Sequence, residues 1–170
     1  MKIRCWLVGV LCILLSLPGV MGADLAGAEV HLYQEKPGQV TMRSQQSLQD
    51  QAQRSWQAVL FKRYIDDQLE GIFLRLVGFP GQVEVMAEQP LQLSIADQFL
   101  WNSQPAMDAS TLMLPNNVGQ YDLQPLLEHL DNDTRLVLAV PLVSGIPATI
   151  AAPPTVIHEW REITQFSPSN

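Results

Sequence analysis

Cysteine is almost missing from this chain. Cys5 and Cys12 are the two cysteines, and both lie within the first 28 residues. Disulfides, cysteine nucleophiles and iron–sulfur ligation are therefore excluded from residue 29 onward. Only three histidines occur, at His31, His129 and His158, and their spacing matches no zinc or copper site. We expect no metal and no cofactor, and a core that holds together without cross-links.

Basic residues are also scarce. Beyond residue 28 the chain has eight Lys and Arg against sixteen Asp and Glu, a net charge of −8. An acidic domain repels phosphate backbones and anionic lipid, so we expect no nucleic-acid partner and no adhesion to lipid through a basic patch. No later apolar run reaches the length of a transmembrane helix, so we expect no membrane span beyond the N-terminal segment.

The N-terminal segment has the three-part order of a secretory signal peptide. Lys2 and Arg4 give it a positive start, and thirteen residues without charge follow from Cys5 to Leu17. Pro18 and Gly19 then break the apolar run. An uncleaved anchor is the alternative, but the run is short for a permanent membrane span. The sequence therefore predicts export.

Two cleavage positions fit this leader. Small residues at Ala26 and Ala28 favour cleavage after Ala28, whereas cleavage after Gly22 lies closer to the apolar run and fits less well. Cleavage after Ala28 leaves 142 residues, of which 61 are apolar, a composition typical of one globular domain. We predict a signal peptide over 1–28, a single β-rich domain over 29–166 and a flexible tail over 167–170.

Alternation of apolar and polar residues predicts that most of this domain is strand. Branched and aromatic residues strengthen the pattern in several segments. The irregular stretch from Gln98 to Gly119, which holds two prolines, is interpreted as a long ordered loop. The predicted strands are 29–34, 40–45, 56–61, 72–79, 83–86, 91–95, 135–143 and 148–151.

Two short helices are predicted from helical spacing of apolar residues. The first runs from Leu123 to Leu130 behind a capping Asp122. The second follows Thr155 as its cap, and its apolar stripe comprises Val156, Ile157, Trp160 and Ile163. Short connections favour antiparallel pairing. The predicted fold class is α+β, mainly β with two short helices: an antiparallel sandwich or a partly open barrel with the C-terminal helix packed on it.

Groupings typical of enzymes are absent from the sequence. There is no G-x-S-x-G elbow, phosphate loop or G-x-G-x-x-G pattern. His158 begins a zincin-like stretch, but Glu162 stands where a second histidine is required. The paired acids at 66–67 and 131–133 fall in predicted turns, where Asp bonds the backbone. These absences favour a protein that is not an enzyme.

Candidate contact residues come from the few basic and amide side chains. Five basic residues lie on or near three strands expected to be neighbours, although charge that protects strand edges gives the same pattern. Trp101 is the aromatic candidate for a partner or membrane-interface contact, although packing over the core also accounts for it. The candidate binding residues are Arg43, Gln45, Arg63, Arg75, Trp101, Asn117, Gln120 and Tyr121.

A series of short segments occurs in a recognisable order. The segments are 37–40 (PGQV), 43–48 (RSQQSL), 55–57 (SWQ), 60–63 (LFKR), 74–81 (LRLVGFPG) and 117–123 (NVGQYDL), followed by Trp160. Their order, from Val30 to Trp160, resembles a cyanobacterial family of small secreted proteins catalogued as a domain of unknown function. The resemblance implies a cyanobacterial source and a home in the periplasm or the thylakoid lumen, and it brings no assigned activity.

Three functions remain open from the sequence. The first is a non-catalytic binding or assembly module in the periplasm or thylakoid lumen, whose partner is a membrane-associated protein complex. The second is a carboxylate-based hydrolase whose acids are brought together only by folding. The third is a small-ligand carrier with an open β-barrel cavity.

Overall fold

Strands are the main secondary structure in the described part of the chain. A computed structural model describes residues 31–95, 98–106 and 114–167. The predicted signal peptide, both of its cleavage positions and the tail beyond Ser167 lie outside these residues. Within them the elements are β1 (His31–Lys36), β2 (Gln39–Gln49), β3 (Ser55–Ile65), β4 (Gln68–Gly78), β5 (Leu91–Ile95), β6 (Gln98–Ser103), β7 (Val118–Asp122), α1 (Gln124–Leu127), β8 (Leu136–Val140), β9 (Ala148–Ala152) and α2 (Pro154–Gln165).

The strands form two antiparallel sheets. Sheet A has the order β1-β2-β3-β4-β7, and sheet B has the order β6-β5-β8-β9. The sheets meet near two corners, where Asp50 pairs with Ile150 and Pro105 pairs with Tyr121, but the described strands do not close into a barrel. The mainly β, antiparallel prediction with a C-terminal helix is confirmed, as two antiparallel sheets without a closed barrel among the described strands.

Tight turns fix the register of sheet A. Gly38 has φ 77° in the β1–β2 turn, and Asp66 and Asp67 have φ 48° and 61° in the β3–β4 turn. Glycine and Asp tolerate this left-handed region better than most residues do. Because side chains alternate along a strand, this register sends one set toward sheet B and the other set to the outer face of sheet A.

Apolar side chains of both sheets and of α2 fill the interior. Sheet A contributes Trp56, Leu60 and Leu74, which are all almost fully buried. The predicted stripe of α2 is buried as well, so this helix packs against β2 and β3 on the inner side of sheet A. The space between the sheets is occupied by this core, which contains Leu76, Leu91, Leu93, Leu136, Leu138, Val140, Ile150, Ala152, Ile157 and Trp160.

Three predictions about individual elements are wrong. The supposed long loop from Gln98 to Gly119 contains β6 and the start of β7. Residues 83–86 form no strand and only one bridge, between Val85 and Leu142. Thr155 lies inside the first turn of α2, which begins after Pro153.

Helix α1 is present but shorter than predicted. It covers four residues, Gln124–Leu127. Asp122 is the last residue of β7, and its Oδ1 accepts a hydrogen bond from the Gln124 amide at 3.0 Å. The capping position is Leu123, one residue later than predicted, and Asp122 satisfies the first free amide from just outside it.

Candidate functional site

Three arginines project from the outer face of sheet A, one from each of three adjacent strands. Arg43 lies on β2, Arg63 on β3 and Arg75 on β4. The cross-strand register puts Arg43 opposite Phe61, and Phe61 opposite Phe73. All five side chains therefore share one face. We call these residues, with Gln45 and Gln120, the arginine face.

Two of the arginines lie against the phenylalanine rings. The guanidinium carbon of Arg63 is 5.7 Å from the ring centre of Phe61 and 5.6 Å from that of Phe73. The guanidinium carbon of Arg75 is 5.4 Å from the centre of Phe61. Each contact of this type contributes about 1 kcal/mol when it is partly shielded from water. The rings therefore hold the two cations in defined positions.

Hydrogen bonds orient the same two guanidinium groups. Arg75 donates from Nε and Nη2 to Oε1 of Gln120, at 2.9 and 2.6 Å. Arg63 forms a two-point ion pair with Glu70, in which the arginine side chain is 14% exposed and the glutamate side chain 31% exposed. A planar guanidinium bonded in this way loses little further freedom when it binds an anion.

A glycine makes room for one ring of the arginine face. A Cβ on Gly71 would lie 2.6 Å from Cζ of Phe73, so the ring lies directly over the backbone of that residue. The Phe73 ring is half-buried. The neighbouring Phe61 is buried although it lies on the outer face of sheet A. The ring centres are 5.5 Å apart with their planes tilted by 41°, a favourable arrangement for an aromatic pair.

The amide group of Gln120 is only half used by these contacts. Its oxygen accepts both bonds from Arg75, while its Nε2 is buried and has no hydrogen-bond partner among the described residues. A buried donor without a partner costs about 1–3 kcal/mol. This donor lies beneath the arginine face, because Gln120 is only 3% exposed.

The structure brings five of the eight predicted contact residues together on this face. Arg43, Arg63 and Arg75 lie there with Gln120, and Gln45 is exposed opposite Val59, in the same cross-strand row as Arg75. The sequence analysis missed the two phenylalanines. Their spacing was a usable signal, because Phe61 precedes Arg63 by two residues and Phe73 precedes Arg75 by two, which puts each pair on one side of a strand.

The other three predicted residues lie elsewhere. Tyr121 points inward, is fully buried, and has the pKa of its hydroxyl raised by burial. Asn117 is buried and donates to the carbonyl of Gly78 at 2.6 Å. Trp101 is half-buried on β6 and stacks on His129, with 6.1 Å between the ring centres. A one-residue shift of register decides which of two neighbours faces outward, and sequence alone does not fix it.

Asp50 is a buried polar centre at the β2–β3 turn. Its carboxylate accepts hydrogen bonds from the amides of Ala52 and Arg54, from Nε of Arg54 and from Nε1 of Trp56, at 2.7–3.0 Å. Burial alone raises the pKa of Asp50, but the bonds from Trp56 and Arg54 outweigh burial and hold that pKa below its usual value. Asp50 therefore acts in the structure of the turn.

Lys62 has a structural role at the end of α2. Its Nζ donates to the carbonyls of Thr164 and Phe166, at 2.7 Å in both cases, and the residue is 5% exposed. Tyr64 donates to the same Phe166 carbonyl. A cation at the C-terminal end of a helix satisfies free carbonyls and offsets the helix dipole. This basic residue is therefore not part of the arginine face.

A small ion-pair cluster joins α2 to the segment before β8. Asp133 accepts from Nη1 of Arg161 at 2.6 Å and lies 2.8 Å from Nδ1 of His158. The hydrogen bond from Arg161, followed by that from His158, lowers the pKa of Asp133. The cluster is exposed to solvent, so it contributes little to stability.

Three surface cavities lie within the described ranges. One of about 270 Å³ lies between α1, α2 and sheet A, and Glu128 is the carboxylate in its lining. Cavities of about 350 and 450 Å³ flank Leu142 at one end of the sandwich, where Glu84 is the carboxylate that lines the first. None of the three linings holds the pair of acids that the hydrolase hypothesis requires.

Neither a metal-ligand cluster nor a membrane-spanning helix occurs among the described residues. Over residues 31–95, 98–106 and 114–167, no three His, Cys, Asp or Glu side chains group closely enough to hold a metal ion. No helix in this part of the chain is long and apolar enough to cross a membrane.

The fold and the arginine face together define a small two-sheet β-sandwich domain with a basic outer surface. The family described as "Protein of unknown function (DUF3122)" matches residues 28–163, and the chain belongs to this family. No curated protein matches the chain, and no solved structure matches it either.

Proposed function

We propose that this protein is a non-catalytic binding or assembly module whose arginine face takes an acidic segment of a partner protein. The observation that carries the proposal is the placement of three arginines on one face, two of them held against phenylalanine rings. Rigid guanidinium groups suit carboxylates, because their planar donors match the two oxygens of a carboxylate.

Charge favours a protein partner over nucleic acid or lipid. The whole chain carries a net charge of −7, so a phosphate backbone or an anionic membrane that reached the arginine face would meet repulsion from the rest of the surface. A short acidic segment contacts the arginine face alone, where Arg43 and Arg75 lie beside the Arg63–Glu70 ion pair.

The N-terminal leader supports an extracytoplasmic location. The charged start, the apolar run and the break at Pro18-Gly19 favour export, and the resemblance to a cyanobacterial secreted family adds the periplasm or thylakoid lumen as the compartment. A membrane-associated protein complex is the proposed partner there.

Co-purification from native membranes tests this proposal. Tagged wild-type protein is compared with the double variant Arg43→Gln/Arg75→Gln, and captured proteins are identified by mass spectrometry. The variant is expected to recover the partner about tenfold less well, since it loses two charges of the interface. A higher salt concentration should also lower the amount of partner that the wild-type protein recovers.

A matched control separates the arginine face from net charge. Arg135 is exposed just before β8, so Arg135→Gln removes a positive charge from sheet B and leaves the arginine face intact. This variant should recover the partner as the wild type does. Equal recovery by all three proteins, or no specific partner at all, would refute the proposal. Thermal unfolding of each variant shows whether it is folded.

A further inference from the structure

A second exposed surface lies at one end of the sandwich and is chemically different from the arginine face. Four large apolar side chains are exposed there: Phe79 by 58%, Met86 by 40%, Val143 by 57% and Ile146 by 76%. A scattered apolar residue on a surface needs no explanation, but a group of them on adjoining turns indicates an interaction site. We call these four residues the apolar end.

Backbone hydrogen bonds hold the turns of the apolar end together. The amide of Met86 donates to the carbonyl of Pro141, and the amide of Val143 donates to the carbonyl of Glu84, at 2.9 Å in both cases. Val85 also pairs with Leu142 in a bridge. The segments 79–86 and 141–147 are therefore one connected surface.

Two grooves run beside this surface, with Leu142 in the wall of both. The first has a volume of about 350 Å³ and is lined by Val83, Glu84 and Val143 among others. The second, of about 450 Å³, has walls of Met86, Pro90, Pro141 and Pro147. These volumes fall within the range of cavities that hold small ligands or side chains. Proline walls are rigid and offer no amide donors, so they suit apolar side chains.

The charges at the rim are acidic. Glu84 lines the first groove, and Glu88 is exposed in the turn that leads into the second. Neither has an ion-pair partner among the described residues. Arg54 lies in the wall of the first groove, but its guanidinium is already bonded to Asp50 at 2.7 Å. The apolar end is therefore an apolar surface with negative charge around it.

We infer that the apolar end docks a short peptide segment that combines large apolar side chains with lysine or arginine. The apolar side chains enter the grooves, and the basic ones pair with Glu84 and Glu88. Charge complementarity selects this occupant. A second copy of the chain would bring four carboxylates together, and anionic lipid would repel the same two groups.

Selection from a random peptide library displayed on phage tests this inference. The protein is immobilised, and the recovered peptides are sequenced, synthesised and titrated. The expected peptides combine basic and large apolar residues. Val143→Ser/Ile146→Ser should weaken their binding about tenfold, as expected for the loss of central apolar contacts. Glu84→Gln/Glu88→Gln should weaken it about threefold at low salt and remove its salt dependence.

The matched control uses the other exposed apolar pair. Ile65 and Leu69 are 44% and 40% exposed at the β3–β4 hairpin, away from both grooves. Ile65→Ser/Leu69→Ser should leave peptide binding unchanged. The inference fails if no peptide is enriched, if the enriched peptides are acidic, or if both apolar double variants bind alike. It also fails if ultracentrifugation shows a dimer that Val143→Ser/Ile146→Ser abolishes, because a second copy is then the occupant.

Discussion

Replacing Asp50 by asparagine should destabilise the domain far more than the small change in the side chain suggests. The wild-type carboxylate accepts from two backbone amides through one oxygen, and from Arg54 Nε and Trp56 Nε1 through the other. In Asp50→Asn, the carbamoyl oxygen can keep the two amides. The new NH₂ group then faces two donors and accepts from neither.

The expected cost follows from these two lost bonds. Trp56 is 2% exposed, so leaving its Nε1 without an acceptor costs about 2 kcal/mol. The Arg54 side chain is 30% exposed, so solvent screens its bond and the loss is about 0.5–1 kcal/mol. The total of about 3 kcal/mol is a large part of the 5–15 kcal/mol by which domains of this kind are usually stable.

Urea unfolding followed by tryptophan fluorescence measures this cost. Asp67→Asn is the control, because Asp67 is exposed in a turn at φ 61°, which asparagine tolerates. The control should stay within about 0.5 kcal/mol of the wild type. If Asp50→Asn also falls within about 1 kcal/mol of the wild type, the buried hydrogen bonds do not carry the stability assigned to them here.

The remaining predictions concern stability at low pH, the end of α2 and the Phe73 ring of the arginine face. Because the folded pKa of Asp50 lies below the unfolded value, its contribution is present above the unfolded pKa, about 3.9, and is lost as the pH falls through the folded pKa. Below the unfolded pKa, the free energy of unfolding of the wild type should fall more steeply with decreasing pH than that of Asp50→Asn. Parallel curves for the two proteins would contradict this. Lys62→Met removes the side-chain donor of the Thr164 carbonyl and leaves the Phe166 carbonyl with Tyr64 alone, so we expect a loss of about 1–2 kcal/mol and faster amide exchange over 160–166, with unchanged exchange as the negative result. Gly71→Ala forces the Phe73 ring aside, with an expected cost of about 1–2 kcal/mol and an altered near-ultraviolet dichroism, and a variant identical to the wild type would show that the ring moves freely.

The sequence predicted the strands whose two faces differ most in polarity. Strands β3 and β5 alternate clearly, and the α2 stripe of Val156, Ile157 and Trp160 is buried as expected. Strand β6 (QFLWNS) has no such alternation, and β7 (VGQYD) carries Gly, Gln and Asp, which are poor strand formers. Tertiary contacts decide these segments, because Gly119 leaves room for the Tyr121 ring and Gln120 pairs with Arg75.

The candidate site was predictable only in part. Three arginines on neighbouring strands could be grouped from their sequence positions, since adjacent hairpin strands pair in order. The inward direction of Asn117 and Tyr121 could not, because it depends on the register of β7 against β4. The role of Lys62 depends on partners that are distant in the sequence, such as Thr164, and the role of Asp50 depends on partners that one turn brings close.

Photo-crosslinking shows whether the arginine face contacts an acidic segment of a partner protein. A photo-reactive amino acid replaces Gln45, which is exposed on that face, and in a control protein it replaces Glu162, whose side chain is 63% exposed on α2. Irradiation in native membranes should give an adduct from position 45 to an acidic segment of one partner protein, and none from position 162. No adduct from position 45, or the same adducts from both positions, would contradict the account.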